Sequence, residues 1–215
     1  MFVWNYLTVD RNIILALDTD DKDKCMNIAR LVREQVYAFK VGYPMLLNHG
    51  LSVLDSFSEM GKIIVDIKIA DIPDVSREIA KMITSHGAIG VIVQGFIGRD
   101  SIKAVRGVVK ELFVVAEMSH PGSLDYISPQ SEKIAIMASE LRADGLVAPA
   151  TRPERIKVLK NISGLSILSP GVGTQGGSYD EAIKNGADYV IIGRSIMLSQ
   201  DPLQKINEFY SGRSK

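Results

Sequence analysis

Two short stretches of this sequence hold residue types that can do chemistry. The first is Val65-Asp66-Ile67-Lys68-Ile69-Ala70-Asp71-Ile72-Pro73. Asp66 and Lys68 stand two apart in an apolar run, so on a strand both project to one face. A carboxylate and an ammonium are costly to bury unless they pair. At the end of a barrel strand that face looks into a cavity, where the pair could stabilise developing charge or move a proton. Asp71 lies past the run and can reach outward. The bare spacing Asp-x-Lys-x-x-Asp is unspecific, since at roughly 6% usage per charged type it should arise by chance in about one such chain in twenty. Its ordinary alternative is a structural ion pair capping the strand.

The second stretch runs from Ser169 through Pro170, Gly171, Val172, Gly173, Thr174 and Gln175 to Gly176 and Gly177. Its glycines let the backbone approach a ligand and turn amide groups toward an anion. Ile191-Ile192-Gly193-Arg194-Ser195 follows, where a strand gives way to a helix. The Gly193 amide, the helix start and the Arg194 guanidinium together suit a phosphate, and Gln175 could donate from the loop. Single polar residues close other apolar runs: Asp18 after Leu15-Ala16-Leu17, Lys40 after Ala38-Phe39, and Met118-Ser119 at the end of the fifth run, where Ser119 could hydrogen-bond a base edge. Each alone is as readily a solvated rim. His49, His86 and His120 are scattered without metal-ligand spacing and read as non-catalytic.

The elements that must position these groups are eight apolar runs dense in Val and Ile: Ile13 to Leu17, Tyr37 to Val41, Ile63 to Ile67, Ile89 to Val93, Phe113 to Glu117, Gly145 to Ala148, Ser166 to Leu168 and Tyr189 to Ile192. Such runs suit strands covered on both faces. Between them lie charged stretches of helical period such as Lys22 to Glu34 and Pro153 to Lys160. This alternation predicts an α/β protein, either a closed barrel or an open doubly wound sheet. The open form with a dinucleotide fingerprint needs glycines after its first strand. Here Leu17 is followed by Asp18-Thr19-Asp20-Asp21. The glycines gather instead after the seventh and eighth runs, where barrels build phosphate sites. The expectation is a (β/α)8 TIM barrel forming a single domain over residues 1–215.

Composition narrows the partners. Acidic and basic side chains balance at 25 each, so no overall field draws the chain to nucleic acid or an anionic membrane. No stretch approaches the roughly 20 apolar residues that span a bilayer, and Met1 to Asp10 does not read as a signal peptide. The single cysteine, Cys25, cannot form an internal disulfide and reads as a small packing residue in a reducing, cytoplasmic setting.

Taken in order along the chain, these motifs resemble the orotidine 5'-monophosphate decarboxylase family in its short microbial, archaeal-type form. The resemblance rests on Leu15 to Asp18, Phe39-Lys40-Val41-Gly42, Asp66 to Pro73, Val147-Ala148-Pro149, Thr151-Arg152-Pro153-Glu154-Arg155, Ser169 to Gly177 and Gly193-Arg194-Ser195. It implies a cofactor-free, metal-free decarboxylation of a pyrimidine nucleotide in pyrimidine biosynthesis. Lys40, Asp66, Lys68 and Asp71 would form an alternating charge network, with Asp71 supplied by the partner of a homodimer. Lys68 would stabilise and protonate a carbanion at C6. Asp18 would hold the ribose, joined by Asp71 across the interface; Ser119 would read the pyrimidine, with Pro170 near the base and Ile72 also in the substrate-binding set. Gln175, Gly193 and Arg194 would hold the phosphate. Two positions depart from the family pattern. Val75 stands where many relatives have threonine and Ala150 where many have serine, each removing a hydroxyl near the site. Two rival readings are a magnesium-dependent sugar-phosphate decarboxylase or hexulose phosphate synthase of the same barrel group, and a non-catalytic barrel that binds phosphorylated ligands.

Overall fold

The eight apolar runs close on themselves. In the computed structural model, which describes residues 11–212, the strands are β1 (Ile13–Ala16), β2 (Ala38–Gly42), β3 (Ile63–Ile69), β4 (Gly90–Gln94), β5 (Glu111–Val115), β6 (Gly145–Val147), β7 (Ser166–Pro170) and β8 (Tyr189–Ile192). They pair in parallel in chain order, and β8 returns to β1 through Ile14↔Ile191 and Leu15↔Ile192. The result is the expected (β/α)8 barrel. The reading of Met1 to Asp10 lies outside the described residues. Among the described residues no helix is long and apolar enough to cross a membrane.

The helices are α1 (Lys22–Val32), α2 (Tyr43–His49), α3 (Val53–Ser58), α4 (Pro73–Ser85), α5 (Gly98–Arg106), α6 (Ser123–Tyr126), α7 (Ser131–Glu140), α8 (Pro153–Ser163), α9 (Tyr179–Lys184), α10 (Arg194–Met197) and α11 (Pro202–Tyr210). Their starts follow local chemistry. Asp21, Ser178 and Asp201 cap α1, α9 and α11 by accepting from Lys24, Glu181 and Gln204 amides. Proline opens α4, α8 and α11, where its missing N–H is no loss. Gly164, in the left-handed region at φ 68°, ends α8.

Two apolar clusters hold the barrel. The larger lies between sheet and helices and takes in Cys25, which is fully buried; burial pushes its thiol up to about 12, so it serves as a packing residue. The smaller fills the barrel and comprises the inward residues Ile14, Ala16, Ala38, Ile64, Ile92, Phe113, Val115, Val147, Leu168 and Ile191. Phe113 is the single aromatic member. Its ring has room because the neighbouring strands present Gly90 and Gly145: a Cβ on Gly90 would lie 3.1 Å from Phe113 Cε2, and one on Gly145 would lie 3.0 Å from Cδ1.

Seven of the eight strands differ from the sequence reading at one end or both, and two of these shifts bear on the site. The fifth strand stops at Val115 instead of Glu117. The Ala116 and Glu117 amides both donate to the Val147 carbonyl, at 3.1 and 3.2 Å, and regular pairing cannot continue past a shared acceptor. Met118 and Ser119 therefore lie in the connection after β5. The third strand runs on to Ile69, but irregularly. Val65 pairs with Val91 and Ile69 with Val93, so four steps along β3 match two along β4. Asp66, Ile67 and Lys68 lie in that irregular stretch.

Candidate active site

The inward series on several strands continues, at the same period of two, into a polar residue at the C-terminal end. Ile14 and Ala16 lead to Asp18, Ala38 to Lys40, Ile64 to Asp66, and Phe113 and Val115 to Glu117. Together with residues after β7 and β8 they line a cavity of about 520 Å³. Asp18, Lys40, Asp66, Lys68, Ser119, Pro170, Gln175, Gly193 and Arg194 all reach it, over an apolar floor of Ala16, Val115, Val147 and Ile191. Asp71 and Ile72 do not line the cavity of their own chain.

Four charges alternate along its wall. Lys40 Nζ donates to Asp18 Oδ1 at 2.8 Å and lies 3.2 Å from Asp66 Oδ2. Lys68 Nζ donates to Asp66 Oδ1 at 3.0 Å. The Lys40 side chain is buried, and burial alone would lower its pKa. Asp66 and Asp18 outweigh that, so the ammonium is held above its usual range. For Asp66 burial pushes the carboxyl up, but Lys40 and Lys68 overcome it and hold the group below the ordinary carboxylate range. Lys40 and Asp66, at the centre of the row, are thus each held in the charged form. Gly42 leaves room for this row, since a Cβ there would come within 2.9 Å of Asp18 Oδ1 and displace that carboxylate.

Lys68 reaches Asp66 by an unusual route. Its φ is 47°, in the left-handed region that a lysine enters at a cost of roughly 1–2 kcal/mol. Two-residue alternation therefore gives the right partner on a backbone that is not a regular strand. The Tyr43 hydroxyl, at the start of α2, donates to the carbonyl of Ile67 at 2.6 Å, the peptide unit just before Lys68.

Across the mouth, the loop after β7 folds on itself. Gly171, Gly173 and Gly176 all take positive φ. Gly173 donates to the Gly177 carbonyl, Gly176 to Gly173, and Gly177 to Gly171, at 2.8–3.0 Å. This tight course brings Gln175 over the cavity, where its Oε1 accepts from Ser119 Oγ at 2.8 Å. Arg194 opens α10 and has no carboxylate within ion-pairing distance among the described residues. Ala150 is buried and does not line the mouth; its methyl packs where a Cβ on Gly177 would stand, 2.9 Å away. That departure from the family pattern sits beneath the glycine loop.

The sequence reading missed a buried charged group here. Glu117 is buried and lines the cavity, held by Arg152 Nε at 2.8 Å and Arg155 Nε at 3.0 Å. Arg152 also donates to the Met118 carbonyl, which fixes the segment leading to Ser119. Nothing in the sequence pairs Glu117 with arginines so far along the chain. Thr19, Lys24, Met197 and Leu198 also line the cavity and were not singled out. The histidines lie elsewhere: His49 Nε2 is 2.7 Å from the Asp20 carbonyl, and His86 Nδ1 is 3.0 Å from Asp55.

Asp71 is anchored by its backbone and exposed at its side chain. Its carbonyl accepts from Ser76 Oγ and Ser101 Oγ, both at 2.9 Å and both from buried serines. Its carboxylate takes the Ile72 amide at 2.7 Å and is exposed. Ile72 beside it is 63% exposed, and Val75 stands exposed one turn on.

A closed parallel barrel whose strand ends converge on an ionised, water-accessible pocket over an apolar floor defines a TIM-barrel enzyme. The family model described as "Orotidine 5'-phosphate decarboxylase / HUMPS family" matches residues 11–209, and the chain belongs to that family. It is 48% identical over 198 residues to the orotidine 5'-phosphate decarboxylase of Methanococcoides burtonii, covering 89% of this chain and 92% of that one. It is 42% identical over 205 residues to the protein of the same name from Methanocaldococcus jannaschii, covering 92% and 96%. Among solved structures, the Methanocaldococcus jannaschii orotidine 5'-monophosphate decarboxylase complexed with inhibitor BMP superposes with a TM-score of 0.89 at 39% identity, over 95% of this chain and 99% of that one. The Pyrococcus horikoshii orotidine 5'-phosphate decarboxylase gives 0.87, also at 39% identity, over 94% and 98%.

Proposed function

We propose that this chain converts orotidine 5'-monophosphate to uridine 5'-monophosphate and carbon dioxide, a step of pyrimidine biosynthesis, with one barrel domain carrying the site. The observation that carries the reading is the row Asp18, Lys40, Asp66, Lys68, paired at 2.8–3.2 Å spacings in the cavity of a family barrel.

In this scheme the C6–carboxylate bond breaks, carbon dioxide leaves and the electron pair stays on C6. No ring position delocalises that pair well, so the barrier falls only if charge is already in place to meet it. The Lys68 ammonium supplies that charge and then gives its proton to C6, leaving a neutral amine that solvent reprotonates. Asp66 stands beside the departing carboxylate and disfavours the bound ground state. Lys40 keeps Asp66 ionised and holds Asp18 in place, and Asp18 accepts from the ribose hydroxyls. Ser119 meets the pyrimidine edge and Pro170 the ring. Gln175, the Gly193 amide and Arg194 hold the phosphate, and their binding energy helps seat the glycine loop over the reacting atoms. The scheme uses no cofactor and no metal.

The site is completed by a second copy. Asp71 and Ile72 are exposed and do not line their own cavity, and the Asp71 carbonyl is held by Ser76 and Ser101. Tyr43, Leu47, Ile72, Val75 and Phe96, after β2, β3 and β4, are all exposed apolar residues. Such a face suits a twofold interface that carries Asp71 into the partner's site. Val75 would bring a methyl group, where a threonine would bring a hydroxyl, to the partner's ribose.

Purified protein mixed with orotidine 5'-monophosphate tests the reading through the substrate's ultraviolet absorbance. Turnover should persist under excess chelator, which the magnesium sugar-phosphate reading does not survive. It should vanish in Lys68→Ala. Ligand binding without absorbance change in the parent protein would leave only the non-catalytic barrel. For the dimer, mixing inactive Asp71→Ala with inactive Lys68→Ala should restore about a quarter of parental activity, because half the random dimers regain one of two sites. No recovery after subunit exchange would place Asp71 outside the partner's site.

A further inference from the structure

We infer that Tyr43 is a positioning residue for Lys68: its hydroxyl fixes the peptide unit whose orientation sets the left-handed turn that aims the ammonium at the reacting carbon. The inference rests on the proposed role of Lys68 and goes beyond it to the means by which that lysine is held.

Three observations meet at this point. Lys68 has a φ of 47°, and φ is the rotation relating its own Cα to the peptide that begins at the Ile67 carbonyl. Second, the sheet does not enforce that rotation. The pairing of β2 with β3 ends at Gly42↔Asp66, and the pairing of β3 with β4 slips between Val65 and Ile69. Ile67 and Lys68 therefore lie where neither neighbouring ladder runs in register. Third, the Tyr43 hydroxyl donates to the Ile67 carbonyl at 2.6 Å. Tyr43 follows Gly42 directly, so this side-chain bond continues from β2 to β3 where their backbone pairing stops. A rigid aromatic arm, rooted on a helix whose next residue is proline, thus replaces the missing ladder contact.

The consequence for chemistry is directional. A water molecule could satisfy the Ile67 carbonyl, but it is not tied to a second element and does not define the angle of the peptide. With the hydroxyl gone, the peptide is free to relax toward the extended region that lysine prefers. The ammonium then moves off its 3.0 Å contact with Asp66. Substrate binding, which uses Asp18, Gln175 and Arg194, is untouched by this change.

The test is Tyr43→Phe in the full-length protein, which keeps the ring and removes one oxygen. With orotidine 5'-monophosphate, kcat should fall roughly five- to tenfold, the effect of losing one hydrogen bond that holds catalytic geometry. KM, and the affinity for uridine 5'-monophosphate, should stay within about twofold, because binding groups are intact. An unchanged kcat overturns the inference, as does a KM that changes in step with kcat. A crystal structure of the variant gives an independent arm: Lys68 retaining its positive φ and its contact with Asp66 while kcat has dropped would also overturn it. Absence of turnover in the parent protein would instead defeat the functional reading itself, so the two failures are distinct.

Discussion

Replacing Asp66 by asparagine removes one charge and almost no volume, so its effects isolate electrostatics. The carboxylate lies 3.2 Å from Lys40 Nζ and 3.0 Å from Lys68 Nζ, and its side chain is 11% exposed. Breaking a buried pair by deleting one partner typically costs about 3–5 kcal/mol. Two features reduce that figure here. Lys40 keeps Asp18 at 2.8 Å, and Lys68, at 34% side-chain exposure, recovers part of its loss from water. A fall of about 2–4 kcal/mol in unfolding free energy is therefore expected, read from urea titrations at pH 7. The chemical step suffers separately. Lys68 faces a neutral amide in place of the carboxylate that aims it, and the substrate carboxylate loses its like-charged neighbour, so kcat should fall on the order of 10²- to 10³-fold. Stopped-flow or steady-state absorbance on orotidine 5'-monophosphate measures it. A variant within tenfold of parental kcat and about 1 kcal/mol of parental stability would refute the claim that the row of charges is both a structural and a catalytic unit.

Further expectations follow from the same geometry. Asp66 is depressed below its ordinary 3.8, so its contribution to stability is present above about pH 4 and is lost as pH falls through its lowered folded value. Lys40 is raised above 10.5, so its contribution is present below that pH and is lost as pH rises through its raised folded value. Urea midpoints should accordingly fall at both extremes, and the acid fall should shrink in Asp66→Asn; equal acid sensitivity in both proteins would contradict the assignment. Arg194→Ala should raise KM more than it lowers kcat on saturating substrate, and an unchanged KM would remove Arg194 from the phosphate subsite. Glu117→Gln should destabilise the fold by about 2–4 kcal/mol, since two guanidinium groups lose a shared buried charge and one of them meets an amide donor in place of an acceptor. An unaltered denaturation midpoint would show that Arg152 and Arg155 do not depend on it.

Much of this was readable from the chain because barrels are periodic in a simple way. Val- and Ile-rich runs located all eight strands, and a period of two put Asp66 on an inward face; Asp18 and Lys40, each as readily a solvated rim on residue type alone, came to the site only through the family resemblance. Lys68 was placed on that face by the same rule, yet the structure brings it there through an irregular strand and a positive φ, which no residue pattern announces. The end of β5 was misjudged because Val-Val-Ala-Glu reads as continuing strand, whereas one carbonyl of Val147 takes two successive amides. Glu117 escaped notice because its burial depends on arginines 35 and 38 residues away. Local patterning cannot report a contact that exists only after the barrel has closed. The exposure of Asp71 was expected from its place past the strand, but the two serines that fix its backbone come from α4 and from α5.

Phe113 with Gly90 and Gly145 behaves as one keystone cut from three strands. The ring occupies the space that side chains on both glycines would have taken, so none of the three can drift alone: a methyl on either glycine strikes the ring, and a smaller side chain in place of the ring leaves a void beneath Val115. Change at this level must come in concert, so three strands together set the floor beneath the pocket.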